Sequence, residues 1–242
     1  MGGRGTGSDR NSQKFNITSG GGVEGYGKKE QAFARRLFGK NISGAELATM
    51  SGAGGFTNPK IEVGIKGDRL QVDIFHRYIS KKDGKKDGMT RSFFKANGKT
   101  TIENEAFFLT KNAQGRGIGR EALRTQMVAA KRNGVKNVTL FALRNDARKD
   151  PAIGHKVWGD LGFNAKLNTA SIRAWNGRNP LAKLSGTKEP RTVRELYNTK
   201  GGRAIWHQYG GSTRMNFSLS RGSQSLKAFN AYLRKRGLSE IK

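Results

Sequence analysis

The chain has no cysteine. That absence excludes disulfides, thiolate metal sites and a thiol nucleophile together. Its three histidines, His76, His155 and His207, are widely spaced and form no HExxH or other ligand pattern, so no metal site is expected. Acidic residues are scarce, 18 against 46 lysines and arginines. No apolar run reaches the roughly 18 residues that a membrane-spanning helix requires. The opening stretch MGGRGTGSDRNSQKF lacks the apolar middle of a secretory signal. The expected compartment is therefore cytoplasmic, or a virion if the source is viral.

What the sequence does have is charge and glycine. The formal charge of +28 over 242 residues is explained most simply by nucleic acid, whose phosphates attract cations without reading sequence. Thirty-four glycines are about twice ordinary usage, and their lack of a three-residue period excludes a collagen helix.

Periodicity divides the chain. Residues 1–27 read as a Gly-rich arm, with Phe15 to Thr18 able to add an edge strand. Helices are predicted over Lys28 to Phe38, ended by Gly39, and from Ser43, which forms a capping box with Glu46. Ile61, Val63 and Ile65, then Leu70, Val72 and Ile74, alternate as strands about a turn at 66–68, and an Asn97-Gly98 turn precedes a strand ending near Thr110. An apolar stripe through Ala122, Leu123, Met127, Val128 and Ala130 marks a helix over 120–133, followed by the buried-strand run VTLFAL at 138–143. A further helix is expected before Leu161. In the last third, 204–209 and 215–219 read as a hairpin, and a final helix starts near Ser225. Residues 164–242 carry sixteen basic and three acidic residues, almost half the net charge.

Between the strand and the 120–133 helix stands Gln114-Gly115-Arg116-Gly117-Ile118-Gly119. Closely spaced glycines let backbone N–H groups converge, and the helix start with Arg116 and Arg120 adds positive charge, so the loop suits a pyrophosphate. It is neither a GxGxxG fingerprint in register nor a P-loop. The stretch FFLTKNAQGRGIGREAL, 107–123, resembles the acetyl-CoA-binding motif of the GNAT N-acetyltransferase superfamily. VTLFALRN at 138–145 and VWGDLGF at 157–163 are similar to the strand and helix end that follow it there, so the resemblance covers roughly residues 28–168.

The resemblance implies an α/β (α+β) fold with a mixed, mostly antiparallel sheet flanked by helices. It implies a GNAT-like domain over 28–168 and a basic extension or small appended domain over 169–242. It further implies that acetyl-CoA is held by backbone groups of Leu109 and Thr110, by the N–H groups of Gln114, Gly115, Arg116, Gly117, Ile118, Gly119 and Arg120, and beside Asn145. Glu103 and Glu105, on one strand face, are the base candidates for an amine acceptor. The superfamily's usual acid is a tyrosine four residues before the Gly of Gly-Phe. That position is Trp158, a poor acid, which leaves His155, one helical turn earlier, or a water. The stretch RKDP lengthens the approach to this helix. Two readings stay open. One is an N-acyltransferase acting on a protein, small-molecule or nucleic-acid-associated amine. The other is an inactive GNAT-like basic protein that binds nucleic acid non-specifically through its C-terminal region or forms part of a virion or nucleoprotein assembly.

Overall fold

Local signals become element ends. In the computed structural model, which describes residues 23–79, 86–110, 113–145, 152–169, 172, 181 and 189–242, the two-residue strand β1 (Val23–Glu24) leads into helix α1 (Lys28–Phe38). Helix α1 stops at Gly39, which adopts a left-handed φ of 70° open to a residue without Cβ. Helix α2 (Gly44–Met50) starts on the expected capping box, with the Glu46 N–H donating to Ser43 Oγ and the Ser43 N–H donating to the Glu46 carboxylate at 3.0 Å. The Phe15–Thr18 stretch lies outside the described residues.

The predicted meander is present. Strands β2 (Lys60–Lys66), β3 (Arg69–Ile79), β4 (Lys86–Ala96) and β5 (Lys99–Phe108) pair antiparallel in succession. Asn97 and Gly98, with φ of 49° and 71°, form the two-residue turn that joins β4 to β5. Helix α3 (Ile118–Arg132) then crosses to β6 (Asn137–Ala142), which lies parallel to β5. A small ladder of β7 (Arg144–Asn145) and β8 (Ala152–Ile153) precedes α4 (Gly154–Asp160). The RKDP residues lie outside the described set.

The last third corrects one expectation. Residues 204–209 are not a strand: Gly202–Tyr209 is helix α6, which follows the short helix α5 (Val193–Tyr197). Ile205, Trp206 and Tyr209 fall on one side of a 3.6-residue period, and Trp206 is buried. Gly202 permits the close α5–α6 turn, since a Cβ there would lie 1.8 Å from the Leu196 carbonyl. The strand half of the expected hairpin exists as β9 (Thr213–Ser218), but its partner is β6, against which it runs antiparallel over six residues. Helix α7 (Gln224–Arg234) closes the chain on a Ser223 cap.

The result is a mixed, mostly antiparallel seven-stranded sheet in the order β1-β2-β3-β4-β5-β6-β9, flanked by helices. Register assigns its two faces. Leu70, Phe93, Ile102, Val138 and Phe217 share one face and are buried; α3 reaches that face where Asn104 and Gln126 exchange hydrogen bonds. Phe163, Phe217 and Phe229 stack edge-on there at 5.2 and 5.9 Å, tying α7 to the same core. The opposite face is polar, carrying Gln71, Ser92, Glu103, Thr139 and Asn216 in register.

Candidate functional site

The glycine loop sits at the strand-to-helix junction. Gly117 is the N-cap of α3 with φ of 82°, and no side chain caps the helix. Gly115 is also left-handed, with φ of 74° and open space where a Cβ would stand. The first intrahelical bond runs from Glu121 N–H to the Gly117 carbonyl. Among the described residues, the backbone N–H groups of Gly115 to Arg120 have no hydrogen-bond partner. Orphan donors at the start of a fifteen-residue helix form an anion site by geometry and by dipole. Gly119 presses on β5, its Cβ position lying 3.0 Å from the Phe107 ring. Arg120 folds back, its Nη2 lying 3.1 Å from the Cβ position of Gly117, while its buried Nε has no partner.

Beneath the loop the sheet opens. Pairing of β5 with β6 ends at Asn104 and Leu140, although β5 runs on to Phe108 and β6 to Ala142. The strands therefore part towards their carboxyl ends. A bulge on β5 contributes: Asn104 and Ala106 pair with the consecutive residues Arg91 and Thr90, leaving Glu105 as the extra residue. Fully buried Arg91 pins this bulge, donating to the carbonyls of Thr90 and Ala106 at 3.0 and 2.7 Å. Burial pushes its guanidinium down to about 9. At the parted ends Phe108, Phe141 and Leu143 are exposed. Backbone groups of Leu109 and Thr110 are mostly engaged. The Leu109 carbonyl accepts from the Gln114 amide at 2.9 Å, the Thr110 carbonyl accepts from Ala113 and Gln114, and the Thr110 N–H donates to Asp87.

Glu103 and Glu105 share the polar face, as their spacing implies, but differ in surroundings. Glu103 is buried between Arg69, at 2.5 Å, and Arg214. Burial raises its carboxyl, but the hydrogen bonds and charges of Arg69 and Arg214 outweigh that and hold it below the usual carboxylate range. Glu105 is exposed, accepts from the Ser92 hydroxyl and stands 3.7 Å from Arg69.

Two other candidates lie on α4 and β7. Asn145 pairs with Ala152 across the β7–β8 ladder. His155 is fully buried; its Nε2 lies 3.4 Å from the His207 carbonyl, and its ring meets Trp206 edge-on. Trp158 packs between Phe107, at 6.3 Å, and Phe163, at 5.4 Å. Nearby, Asp160 accepts from Nε and Nη2 of Arg203 and lies 3.0 Å from His207 Nε2 and 3.1 Å from Tyr197 Oη. Burial raises the Asp160 carboxyl, yet Arg203 and His207 together hold it low; burial and the same carboxylate push Tyr197 upwards.

The sequence alone does not single out Arg69, Arg91 or Arg214. Alternation in TRMNFS puts Arg214 on the polar side of a strand, but only the β6–β9 register brings it to Glu103, 111 residues away. Groups of three or more potential metal ligands are absent among the described residues. No described helix is long and apolar enough to cross a membrane. No protein-family model and no curated protein matches the chain. Among solved structures, the crystal structure of Tetrahymena GCN5 is similar at 12% identity with a TM-score of 0.33, over 81% of this chain and 86% of that one. A likeness that loose carries no functional argument; the loop, the parted strands and the two carboxylates do.

Proposed function

We propose that the chain is a CoA-dependent N-acyltransferase that moves an acetyl group from acetyl-CoA to an amine. The observation that carries this reading is the parting of parallel β5 and β6 directly beneath the uncapped N-terminus of α3. The N–H groups of Gly115 to Arg120 suit a pyrophosphate, and the wedge between the strands suits the extended arm that follows it. Acetyl-CoA supplies an activated thioester there. Exposed Phe108, Phe141 and Leu143 would lose water when the wedge fills.

The protein's own groups divide the remaining work. An ammonium acceptor must lose a proton before its nitrogen attacks, and Glu105 is the carboxylate placed to take it. Glu103, neutralised by two arginines, is a weaker base and holds the polar face in shape. The proton required by the departing thiolate comes from solvent, because Trp158 carries no oxygen acid and buried His155 is a packing residue.

Calorimetry of the nucleic-acid-free protein with CoA tests the reading. Gly117→Asp should weaken binding about tenfold more than Gly117→Asn, because both tolerate the left-handed backbone and only the first adds an anion. Glu105→Gln should lower kcat with little change in the KM for acetyl-CoA. No binding at millimolar CoA would reject the acyltransferase.

A further inference from the structure

The polar sheet face carries a second concavity, one strand beyond Glu103. It has a volume of about 350 Å3 and is lined by Thr139, Asn164, Lys166, Thr192, Arg214 and Asn216. None of its lining residues is acidic. The hydrogen bonding around it is one-sided. Asn164 Oδ1 already accepts from the N–H groups of Ala165 and Arg194, at 3.0 and 2.9 Å, so its side chain has only the Nδ2 donors left to offer. Thr192 Oγ1 accepts from Glu195 N–H at 3.2 Å, which leaves its hydroxyl proton to give. Lys166 has no acidic partner among the described residues, and Arg214 commits one nitrogen to Glu103 while its side chain remains 65% exposed.

Two cations, two donors whose acceptors are already spent, and the Asn216 amide and Thr139 hydroxyl, which can each turn a donor inwards, recognise an oxyanion in a pocket without a carboxylate. We propose that this pocket binds a phosphate group carried by the acyl acceptor, so that the substrate is an amine that also bears a phosphate. The volume admits a phosphate together with part of the group it esterifies. Arg214 links the two functions, because the same residue lines the pocket and holds Glu103 beside Glu105. The shared chemistry has two sources, a small phosphorylated amine and the backbone of a single-stranded polynucleotide. That the phosphate belongs to the acceptor rests on the acyltransferase reading; that the pocket binds phosphate does not.

The full-length chain, titrated with inorganic phosphate against chloride at constant ionic strength and without CoA, separates the two. Amide shifts at Lys166, Thr192 and Asn216 should saturate. Lys166→Met and Asn164→Asp should each weaken binding about tenfold, the least expected when a hydrogen bond to a charged group is removed. The second variant keeps the Oδ1 acceptor that the backbone needs and replaces the donor with an anion. Saturation that both variants weaken supports the site whether or not CoA binds. No saturation, or saturation that either properly folded variant leaves unchanged, overturns it. Phosphoethanolamine and a five-nucleotide single strand assign the source. The ligand that competes with phosphate at lower concentration is the native class, and competition by neither overturns the acceptor assignment.

Discussion

At the scale of single residues, Asp160 makes the clearest case for charge serving structure. Its carboxylate joins α4 to α5 and α6 through Arg203, His207 and Tyr197. The folded-state value is depressed, so its stabilisation is complete above the unfolded carboxylate value of about 4 and disappears as pH falls through the lower native value. Asp160→Asn should therefore cost on the order of 2 kcal/mol at neutral pH, as expected for hydrogen bonds to a charged group. Urea unfolding of the two proteins should converge as pH drops below the carboxylate range; an undiminished difference at about pH 2 would assign the effect to packing. The same scale shows what sequence can and cannot specify. The orphaned donors of the glycine loop follow from Gly115, Gly117 and Gly119 between a strand and a helix, a pattern visible in six residues. The confinement of Glu103 by Arg69 and Arg214 does not, because it depends on registers between strands distant in sequence. Nor does the burial of His155, since one histidine on a short helix looks alike whether it faces a cleft or Trp206.

At the scale of elements, signals contained within about four residues survive intact. The Ser43–Glu46 box, the Gly39 stop and the Asn97-Gly98 turn fold as their chemistry requires. The helix of residues 202–209 reads as a strand in sequence because Ile205, Trp206 and Tyr209 favour strands by propensity, while packing against His155 and α5 decides for a helix. The bulge at Glu105 leaves no trace in the alternation of β5, since Glu103, Asn104 and Glu105 put polar residues on both faces of the strand where it begins. The role of β9 is equally illegible: Met215 and Phe217 announce a strand without naming its neighbour. Phe217 stands opposite Val138 and between Phe163 and Phe229. Phe217→Ala should destabilise the protein by about 3–5 kcal/mol. Circular dichroism and tryptophan fluorescence should then report one coincident, earlier transition. Two separated transitions would mean that the C-terminal elements fold as an independent unit.

At the scale of the molecule, +28 makes a field that any polyanion will feel. We propose non-specific nucleic-acid binding through the C-terminal third, where Arg221, Lys227, Lys235 and Arg236 are exposed. Removing that third is a poor test, because it carries a strand of the main sheet. Reversing Arg221, Lys227 and Lys235 to glutamate is the better one. The plot of log affinity for unrelated single strands against log salt should become shallower by about 0.7 for each phosphate no longer engaged. An unchanged slope would place the binding surface elsewhere. The place of β6 between β5 and β9 has another consequence, one of timing during synthesis. Its parallel neighbour β5 precedes it, but its antiparallel neighbour β9 is made more than seventy residues later. A nascent chain halted before Thr213 would present Val138, Leu140 and Ala142 along an unpaired edge, the kind of template on which strands from other chains assemble. Ribosomal pauses in that interval, or premature stops within it, should thus yield insoluble rather than merely inactive product.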